Sequence, residues 1–219
     1  PRNKTMPDYL DLYDYRCHVA AMYRERNQAI STGEDASIVV ERFRKTRDVL
    51  FASHPQSALD EEQRRTFQGL HYFPYTPDLC FSVEIDTDVE PRRQQIAMNA
   101  EEIMTMTTVG QVSFSVQNEP VALSIYWLNI YGGGLFLPFR DTTSPTESYG
   151  SGRYLFDTIK GSDFLTLAST TDKKRILLDF NYAYNPSCAY NVRWVCPLAP
   201  VENRLNVAIR AGEMNYKDH

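Results

Sequence analysis

The chain has 219 residues, of which 42% are hydrophobic and 23% are charged, and its formal net charge is −5. This composition is ordinary for a soluble globular protein, and the acidic total argues against general nucleic-acid binding, which needs a basic face. No apolar run approaches the roughly 20 residues of a membrane-spanning helix, and the first residues are not followed by the apolar core of a signal peptide. We therefore expect a cytoplasmic protein with reduced cysteines that binds neither nucleic acid nor membrane.

The first part of the chain predicts a helical lead-in over residues 1–66. Apolar side chains recur at helical spacing over residues 7–30 and again over residues 36–52, which predicts two amphipathic helices. Asp60, followed three residues later by Gln63, predicts a capping pair at the start of one further short turn.

From residue 67 onward the pattern changes to short β-rich segments separated by turn signals, and the high tyrosine and phenylalanine content favours strands. The candidate strands are 69–74, 80–87, 93–98, 103–108, 111–117, 121–128, 134–139, 153–159 and 175–184. Closely spaced short strands predict a barrel, roll or sandwich instead of a parallel sheet. The predicted fold is mainly β (α+β), an antiparallel β-barrel or β-roll over 67–219 with two N-terminal helices packed on it, as one domain over 1–219.

A polar loop before the strand at 153–159 is the first candidate site. Gly150 and Gly152 allow unusual backbone angles beside Arg153, and exposed N–H groups next to a guanidinium suit a carboxylate or phosphate. Alternatively, Arg153 pairs internally with Asp141 or Asp179 and only fixes the loop. The residues alone leave both interpretations open.

The segment at 175–184 is the second candidate site. If it is a strand, Asp179 and Asn181 lie side by side on one face, opposite an apolar face that belongs to the core. Partly buried groups of this kind need hydrogen bonds to protein, water or ligand. The alternative is a structural network that holds the following loop.

The remaining candidate residues are Cys188, Cys196 and Glu213. Cys188 and Cys196 lack the further ligands of a zinc site and the neighbouring histidine of a catalytic thiolate, so we expect buried structural cysteines. Glu213 is either an acid returning to the pocket or the partner of Arg153 or Arg210, and we prefer the ion pair.

Four segments resemble the family catalogued as domain of unknown function 1684. They are FRKTRDVLFASHPQSAL (43–59), FQGLHYFPYTP (67–77), LFLPFRDTTSPTESYGSGRYL (135–155) and DFNYAYNPSCAYNVRWVCPLAPVENRLNVAIRAGE (179–213). The hallmark positions of the family match Asp141, Thr142, Tyr149, Gly150, Gly152, Arg153, Tyr154, Asp179, Asn181, Asn185, Cys188, Cys196, Asn203 and Glu213. Ser144 and Pro145 stand where members often carry a glycine-containing turn. The resemblance implies no established activity.

These observations predict one polar pocket that takes a small, anionic ligand. Arg153 is the expected anion anchor, while Asp179 and Asp141 orient the ligand or act as general acid and base. The predicted ligand-binding residues are Arg153, Asp141, Thr142, Tyr149, Asp179, Asn181, Tyr184 and Asn185; the catalytic candidates are Asp179, Asp141 and Glu213; and no metal is predicted.

Other classes of function remain open at this point. A hydrolytic enzyme would need a nucleophile or metal that the sequence does not offer convincingly. A flavin-dependent split-barrel-like enzyme rests on analogy of architecture alone, so no cofactor is predicted apart from that flavin. A structural or interaction module would use the tyrosine-rich strands as its surface, and a homodimer is compatible with all of these classes.

Overall fold

A computed structural model describes residues 9–98 and 104–216 of the chain. Its helices are α1 (Tyr9–Ser31), α2 (Ala36–Ser53) and α3 (Glu61–Thr66). The Asp35 carboxylate accepts the first free N–H groups of α2, and Asp60 and Gln63 form the predicted capping box at the start of α3. Both predicted helices are confirmed, although residues 7–8 lie outside the described part of the chain. No helix among the described residues is long and apolar enough to cross a membrane.

Within residues 9–98 and 104–216, eight strands form two antiparallel sheets. The strands are β1 (Cys80–Glu84), β2 (Arg93–Ile96), β3 (Met104–Val116), β4 (Glu119–Leu128), β5 (Leu135–Phe139), β6 (Arg153–Asp157), β7 (Leu165–Leu167) and β8 (Arg175–Asp179). The larger sheet has the order β2-β3-β4-β5-β6 and curls into half of a barrel, while the smaller has the order β1-β8-β7. The predicted mainly β, α+β class with N-terminal helices is therefore confirmed.

The predicted break between 103–108 and 111–117 is wrong within the described residues, because β3 runs through it. The register shifts between Thr108 and Gly110, which indicates a β-bulge. The strand therefore continues through the position where the sequence predicted a break. A side chain at Gly110 would clash with Ile85, which explains the small residue there. Residue 103 lies outside the described residues.

Two other predicted strands need correction. Segment 69–74 contributes only an isolated bridge, between Tyr72 and Glu213. Segment 175–184 stops being a strand at Asp179, because the Asp179 carboxylate accepts the backbone N–H of Asn181 and begins a 3-10 turn. Val201–Asn203 forms a 3-10 turn, and β7 was not predicted.

The core lies between the two sheets. Its buried residues include Val83, Ile176 and Leu178 from the smaller sheet and Val112, Leu123, Ile125, Leu137, Phe139 and Leu155 from the larger. A second cluster joins α1 and α2 to Tyr182, with Phe43 of α2 making an edge-on contact to that ring. The helices thus cover the irregular segment that follows β8, and most of the polar groups described below lie in that region.

Candidate functional site

Arg153, at the start of β6, is 1% exposed and is held by protein atoms. Its Nη2 donates to Asp141 Oδ2 at 2.8 Å and to the Ile209 carbonyl at 2.7 Å. Its Nη1 donates to the carbonyls of Ala211 and Glu213. The internal pairing with Asp141, one of the two alternatives that the sequence left open, is the arrangement that this structure contains.

Both oxygens of the Asp141 carboxylate also accept hydrogen bonds from protein groups. One oxygen accepts the backbone N–H and the hydroxyl of Thr143, and the other accepts the N–H of Ile209 at 2.9 Å in addition to Arg153. Thr142 points to the exterior and contributes its own N–H to a backbone bond. The positive φ expected in the preceding turn occurs at Gly152, with φ 95°. This pair therefore fixes the loop from 140 to 154.

Asp179 and Asn181 form a separate network at the end of β8. Asp179 Oδ1 accepts both the backbone N–H and the side-chain amide of Asn181, at 2.9 and 2.8 Å. Asn181 in turn pairs with the backbone N–H and carbonyl of Thr76. Burial raises the pKa of Asp179, although the Asn181 bonds oppose the shift. None of these hydrogen bonds reaches Arg153, so the two predicted halves of the site have different partners.

A second buried ion pair brings the last acid to α2. Arg47 Nε donates to Glu213 Oε1 at 2.6 Å, and both side chains are at least nine-tenths buried. Glu213 Oε2 accepts the phenol of Tyr190 and the backbone N–H of Asn185. The preferred ion pair for Glu213 is thus present, but its partner is Arg47 and not Arg153 or Arg210; Arg210 pairs with Glu147.

The Arg47 guanidinium lies among aromatic rings, and only two of its three nitrogens donate hydrogen bonds to described residues. Its Cζ is 4.7 Å from the ring centroid of Phe51 and 5.2 Å from that of Tyr184. Burial disfavours its charge, but attraction to Glu213 outweighs burial and raises the pKa of Arg47 well above its usual value. Nε and Nη2 donate to Glu213 and Tyr190, while no described residue accepts a hydrogen bond from Nη1.

Arg47 borders a cavity of about 60 Å³ that we call the tyrosine pocket. It lies between the two long helices, Tyr154 near the start of β6, the segment 160–162 after that strand, and the loop 184–190. Its lining residues are Tyr15, Val19, Tyr23, Arg47, Phe51, Tyr154, Lys160, Ser162, Tyr184, Asn185, Pro186, Ser187 and Tyr190.

The phenols around the tyrosine pocket are hydrogen-bond donors at neutral pH. Burial raises the pKa of Tyr23 to about 12, and it raises the pKa values of Tyr154, Tyr184 and Tyr190 well above their usual range. The Tyr184 hydroxyl lies 2.6 Å from Ser162 Oγ, which keeps that ring in place. Tyr154 and Tyr190 donate their hydrogens to the Pro197 carbonyl and to Glu213, so Tyr23 and Tyr184 are the protonated phenols that lie beside the Arg47 cation for a ligand to use.

Lys160 adds a second cation to the lining. Its side chain is about half exposed, and its Nζ lies 3.9 Å from Asp157 Oδ2, a distance at the limit of an ion pair. Asp157 itself is buried, and its Oδ1 has no hydrogen-bond partner. Burial raises the pKa of Asp157, with Lys160 opposing that shift. Lys160 is thus only weakly neutralised.

The structure distributes the predicted residues over several places. Tyr184 and Asn185 line the tyrosine pocket, and Tyr149 instead donates to Cys188 Sγ at 3.6 Å. Arg47 was not among the predicted site residues, although its position in the sequence gave a detectable signal. Arg47 follows Phe43 by four residues, so it falls on the predicted apolar face of α2, where an arginine needs a buried partner.

One group of side chains has the composition of a metal site. Asp14, His18 and His54 offer ligand atoms within 4.8 Å of one another. However, His54 Nδ1 accepts the N–H of Gln56 at 3.0 Å, so the proton of the neutral ring is on Nε2, which faces Asp14 Oδ2 at 3.2 Å. A zinc ligand would need a lone pair on that nitrogen. The geometry favours hydrogen bonding between these groups.

A wide groove of about 600 Å³ lies beside α3, and Asp60 in its lining is hydrogen-bonded to other groups of the protein. Asp60 caps α3 and accepts the amide of Asn191, and Gln63 donates to the Tyr190 carbonyl. The groove lining contains no cationic side chain. It therefore lacks the charge that the tyrosine pocket offers to a ligand.

Comparison with known proteins gives a family and a fold. A family model described as a protein of unknown function (DUF1684) matches residues 65–214. The chain is 31% identical to an uncharacterised protein of Haloarcula marismortui whose structure was determined in solution by NMR, with a TM-score of 0.59. That match covers 82% of this chain and 94% of the other. No curated protein matches the chain.

Proposed function

Because this chain belongs to the DUF1684 family, which is described as of unknown function, we propose a function from its geometry: the tyrosine pocket binds a small anion. The observation that carries the proposal is the buried Arg47 guanidinium, which keeps a donor nitrogen beside a cavity. An anion that enters the cavity can accept the hydrogen bonds that this nitrogen offers.

The charges support an anion over a neutral ligand. Glu213 neutralises Arg47, while Lys160 at the half-exposed edge adds a positive charge that Asp157 compensates only from 3.9 Å. Tyr154 and Tyr190 already donate to the Pro197 carbonyl and to Glu213, whereas the protonated phenols of Tyr23 and Tyr184 can donate to a ligand oxygen. A carboxylate or phosphate oxygen can thus receive several donors at once.

The size of the cavity limits the part of the ligand that is enclosed. A water needs about 10–15 Å³ of this kind of space, so about 60 Å³ holds roughly four to six waters or one group of phosphate or carboxylate size. The exposed side of Lys160 leaves room for a larger molecule to extend outward. The proposed ligand is a small molecule that inserts one anionic group.

The proposed anchor differs from the one that the sequence predicted. Arg153 is occupied by Asp141 and three carbonyls, whereas Arg47 retains Nη1 for a ligand. The ligand class remains the predicted one, and Tyr184 and Asn185 remain in the proposed site. The flavin, the homodimer and the cytoplasmic location stay predictions.

Isothermal titration calorimetry with inorganic phosphate and with acetate tests this proposal. Arg47→Lys keeps the charge but loses the planar fork, so we expect affinity for the bound probe to fall by about tenfold or more. Lys160→Gln removes one partly exposed charge and should weaken binding by about two- to fivefold. Thermal unfolding of each variant checks that it is folded before the titration is interpreted.

Arg42→Gln is the matched control because Arg42 lies on α2 and pairs with Glu34 at the surface. It should bind the probes as the wild type does. The proposal fails if the wild type binds neither probe, or if folded Arg47→Lys and Lys160→Gln both bind with unchanged affinity.

A further inference from the structure

Asn185 brings a hydrogen-bond acceptor without a partner to the wall of the tyrosine pocket. The residue is 2% exposed, and it belongs to the segment 184–187, all four residues of which line the pocket. Its side-chain Oδ1 has no hydrogen-bond partner among the described residues. Buried side-chain oxygens in this state are uncommon in folded proteins, so the atom is a candidate contact for a ligand.

The other hydrogen bonds of Asn185 determine which end of its amide is free. Nδ2 donates to the Met214 carbonyl at 2.8 Å. If the amide were turned over, its oxygen would face that carbonyl and two acceptors would lie in contact. The backbone N–H donates to Glu213 Oε2 at 2.9 Å, which holds the residue in place. The free atom is therefore an acceptor and not a donor.

Glu213 places this acceptor beside the cation of the proposed anion site. One oxygen of its carboxylate accepts from Arg47 Nε at 2.6 Å, and the other accepts the backbone N–H of Asn185. Arg47 and Asn185 are thus held by the same carboxylate, and both line one cavity of about 60 Å³. A single small ligand can contact both residues.

We propose that the tyrosine pocket selects anions that carry a hydroxyl group of their own, such as hydrogen phosphate or a 2-hydroxycarboxylate, and that Asn185 Oδ1 accepts the hydrogen bond of this hydroxyl. The inference rests on the proposed anion binding at Arg47 and specifies the class of ligand. The charged oxygens of the ligand accept from Arg47 Nη1, and its hydroxyl donates to Asn185.

The same oxygen disfavours an anion that has no hydroxyl. In the free protein, water can enter the pocket and donate to Asn185 Oδ1, because the space holds several waters. Sulfate would displace that water without replacing its hydrogen bond, and one of its negative oxygens would lie against the amide oxygen. Leaving a buried acceptor unpaired typically lowers affinity by about tenfold or more.

Isothermal titration calorimetry at neutral pH with two pairs of similar-sized probes tests the inference. Phosphate keeps at least one proton on oxygen and sulfate keeps none, while glycolate carries a hydroxyl where fluoroacetate carries a fluorine. We expect the hydroxyl-bearing member of a pair to bind at least about tenfold more tightly than the other. The pair that binds also distinguishes a phosphate from a hydroxycarboxylate as the ligand.

Asn185→Ala separates selectivity from anion binding. Without the amide oxygen, the two members of a pair should bind within about twofold of each other. Arg47→Lys should weaken both members and preserve their ratio, because the acceptor is unchanged. Asn129→Ala is the matched control, since Asn129 bonds Thr107 and does not line the pocket; it should keep both the affinities and the ratio.

Each outcome bears on a different claim. If sulfate and fluoroacetate bind as tightly as phosphate and glycolate, the inference about Asn185 is overturned while anion binding at Arg47 stands. The inference is also overturned if Asn185→Ala, shown to be folded by thermal unfolding, keeps the wild-type ratio. The wild-type ratios decide alone if that variant does not fold. Absence of binding by all four probes overturns the inference together with the proposed function.

Discussion

The two buried arginine–carboxylate pairs use the same chemistry in different surroundings. Arg153 and Asp141 lie where β6 meets the segment 207–213, and backbone groups take up the rest of their hydrogen-bonding capacity. Arg47 and Glu213 lie between the helices and the 184–190 loop, where one side of the guanidinium adjoins the tyrosine pocket.

The difference shows what makes a buried ion pair a candidate binding site. Both pairs carry the same charges and are at least nine-tenths buried, so neither property is enough to distinguish them. The distinguishing property is the number of donors that protein atoms leave unused. A pair whose two terminal guanidinium nitrogens both donate to protein atoms, as in Arg153, serves as scaffold, whereas a pair with an open terminal nitrogen beside a cavity can accept a ligand.

Gly212 connects the two pairs. The carbonyls of Ala211 and Glu213 on either side of it accept from Arg153, while the Glu213 side chain accepts from Arg47. Gly212 has φ 74°, and its backbone lies against the carbonyls of Ala183 and Phe180. One left-handed residue thus lets neighbouring atoms of the chain serve both arginines.

The largest effect is expected from Arg153→Met, which tests the scaffold role. Removing the guanidinium leaves the Asp141 carboxylate and three carbonyls without their buried partner, so the free energy of unfolding should fall by about 3–5 kcal/mol. Urea denaturation measures the change. The surface variant Arg42→Gln should change stability little. If Arg153→Met is as stable as the wild type but loses ligand binding, the roles of the two pairs are reversed.

The next effect is expected from Gly212→Ala, which disturbs both pairs at once. A methyl group there adds strain at positive φ and clashes with two carbonyls, so we expect a loss of about 2–4 kcal/mol in urea denaturation. Gly132 is the matched control, with φ 81° and no atom within 4 Å of an added Cβ. Gly132→Ala should cost only about 1–2 kcal/mol. Equal losses in both variants would contradict the close approach at Gly212.

The smallest effect is expected from Asp157→Asn, which tests a buried carboxylate without an arginine. Since the folded-state pKa of Asp157 is raised, its contribution to stability is complete below the unfolded pKa of about 3.9 and is lost as pH rises through the folded value. The asparagine side chain of the variant has no such titration. Its free energy of unfolding should therefore rise relative to that of the wild type, by on the order of 1 kcal/mol, as the pH approaches neutrality. Urea denaturation at several pH values measures it; a difference independent of pH would refute the assignment.

Local features of the sequence were predictable where the physical cause lies within a few residues. The capping box of Asp60 and Gln63 joins groups three positions apart, and it is present as predicted. The same locality explains the error at 175–184. The alternation of apolar residues continues past Asp179. However, the backbone N–H of Asn181 donates to the Asp179 carboxylate two positions earlier, and this local hydrogen bond ends the strand.

The candidate site was less predictable because its partners lie far apart in the chain. Arg47 and Glu213 are 166 positions apart, and nothing in either segment identifies the other. Arg153 was recognised as important from its double-glycine turn. Its role as scaffold depends on the carbonyls of Ile209, Ala211 and Glu213, whose positions relative to Arg153 cannot be read from the sequence.

The sequence by itself determined the helical lead-in, the mainly β core and the residue types available for a polar site, since periodicity and capping act over a few residues. Only the tertiary structure decided which arginine is enclosed by carbonyls and which adjoins a cavity. The reason is that hydrogen-bond capacity is used up by whichever groups the packing brings near, and burial then makes each unused donor significant.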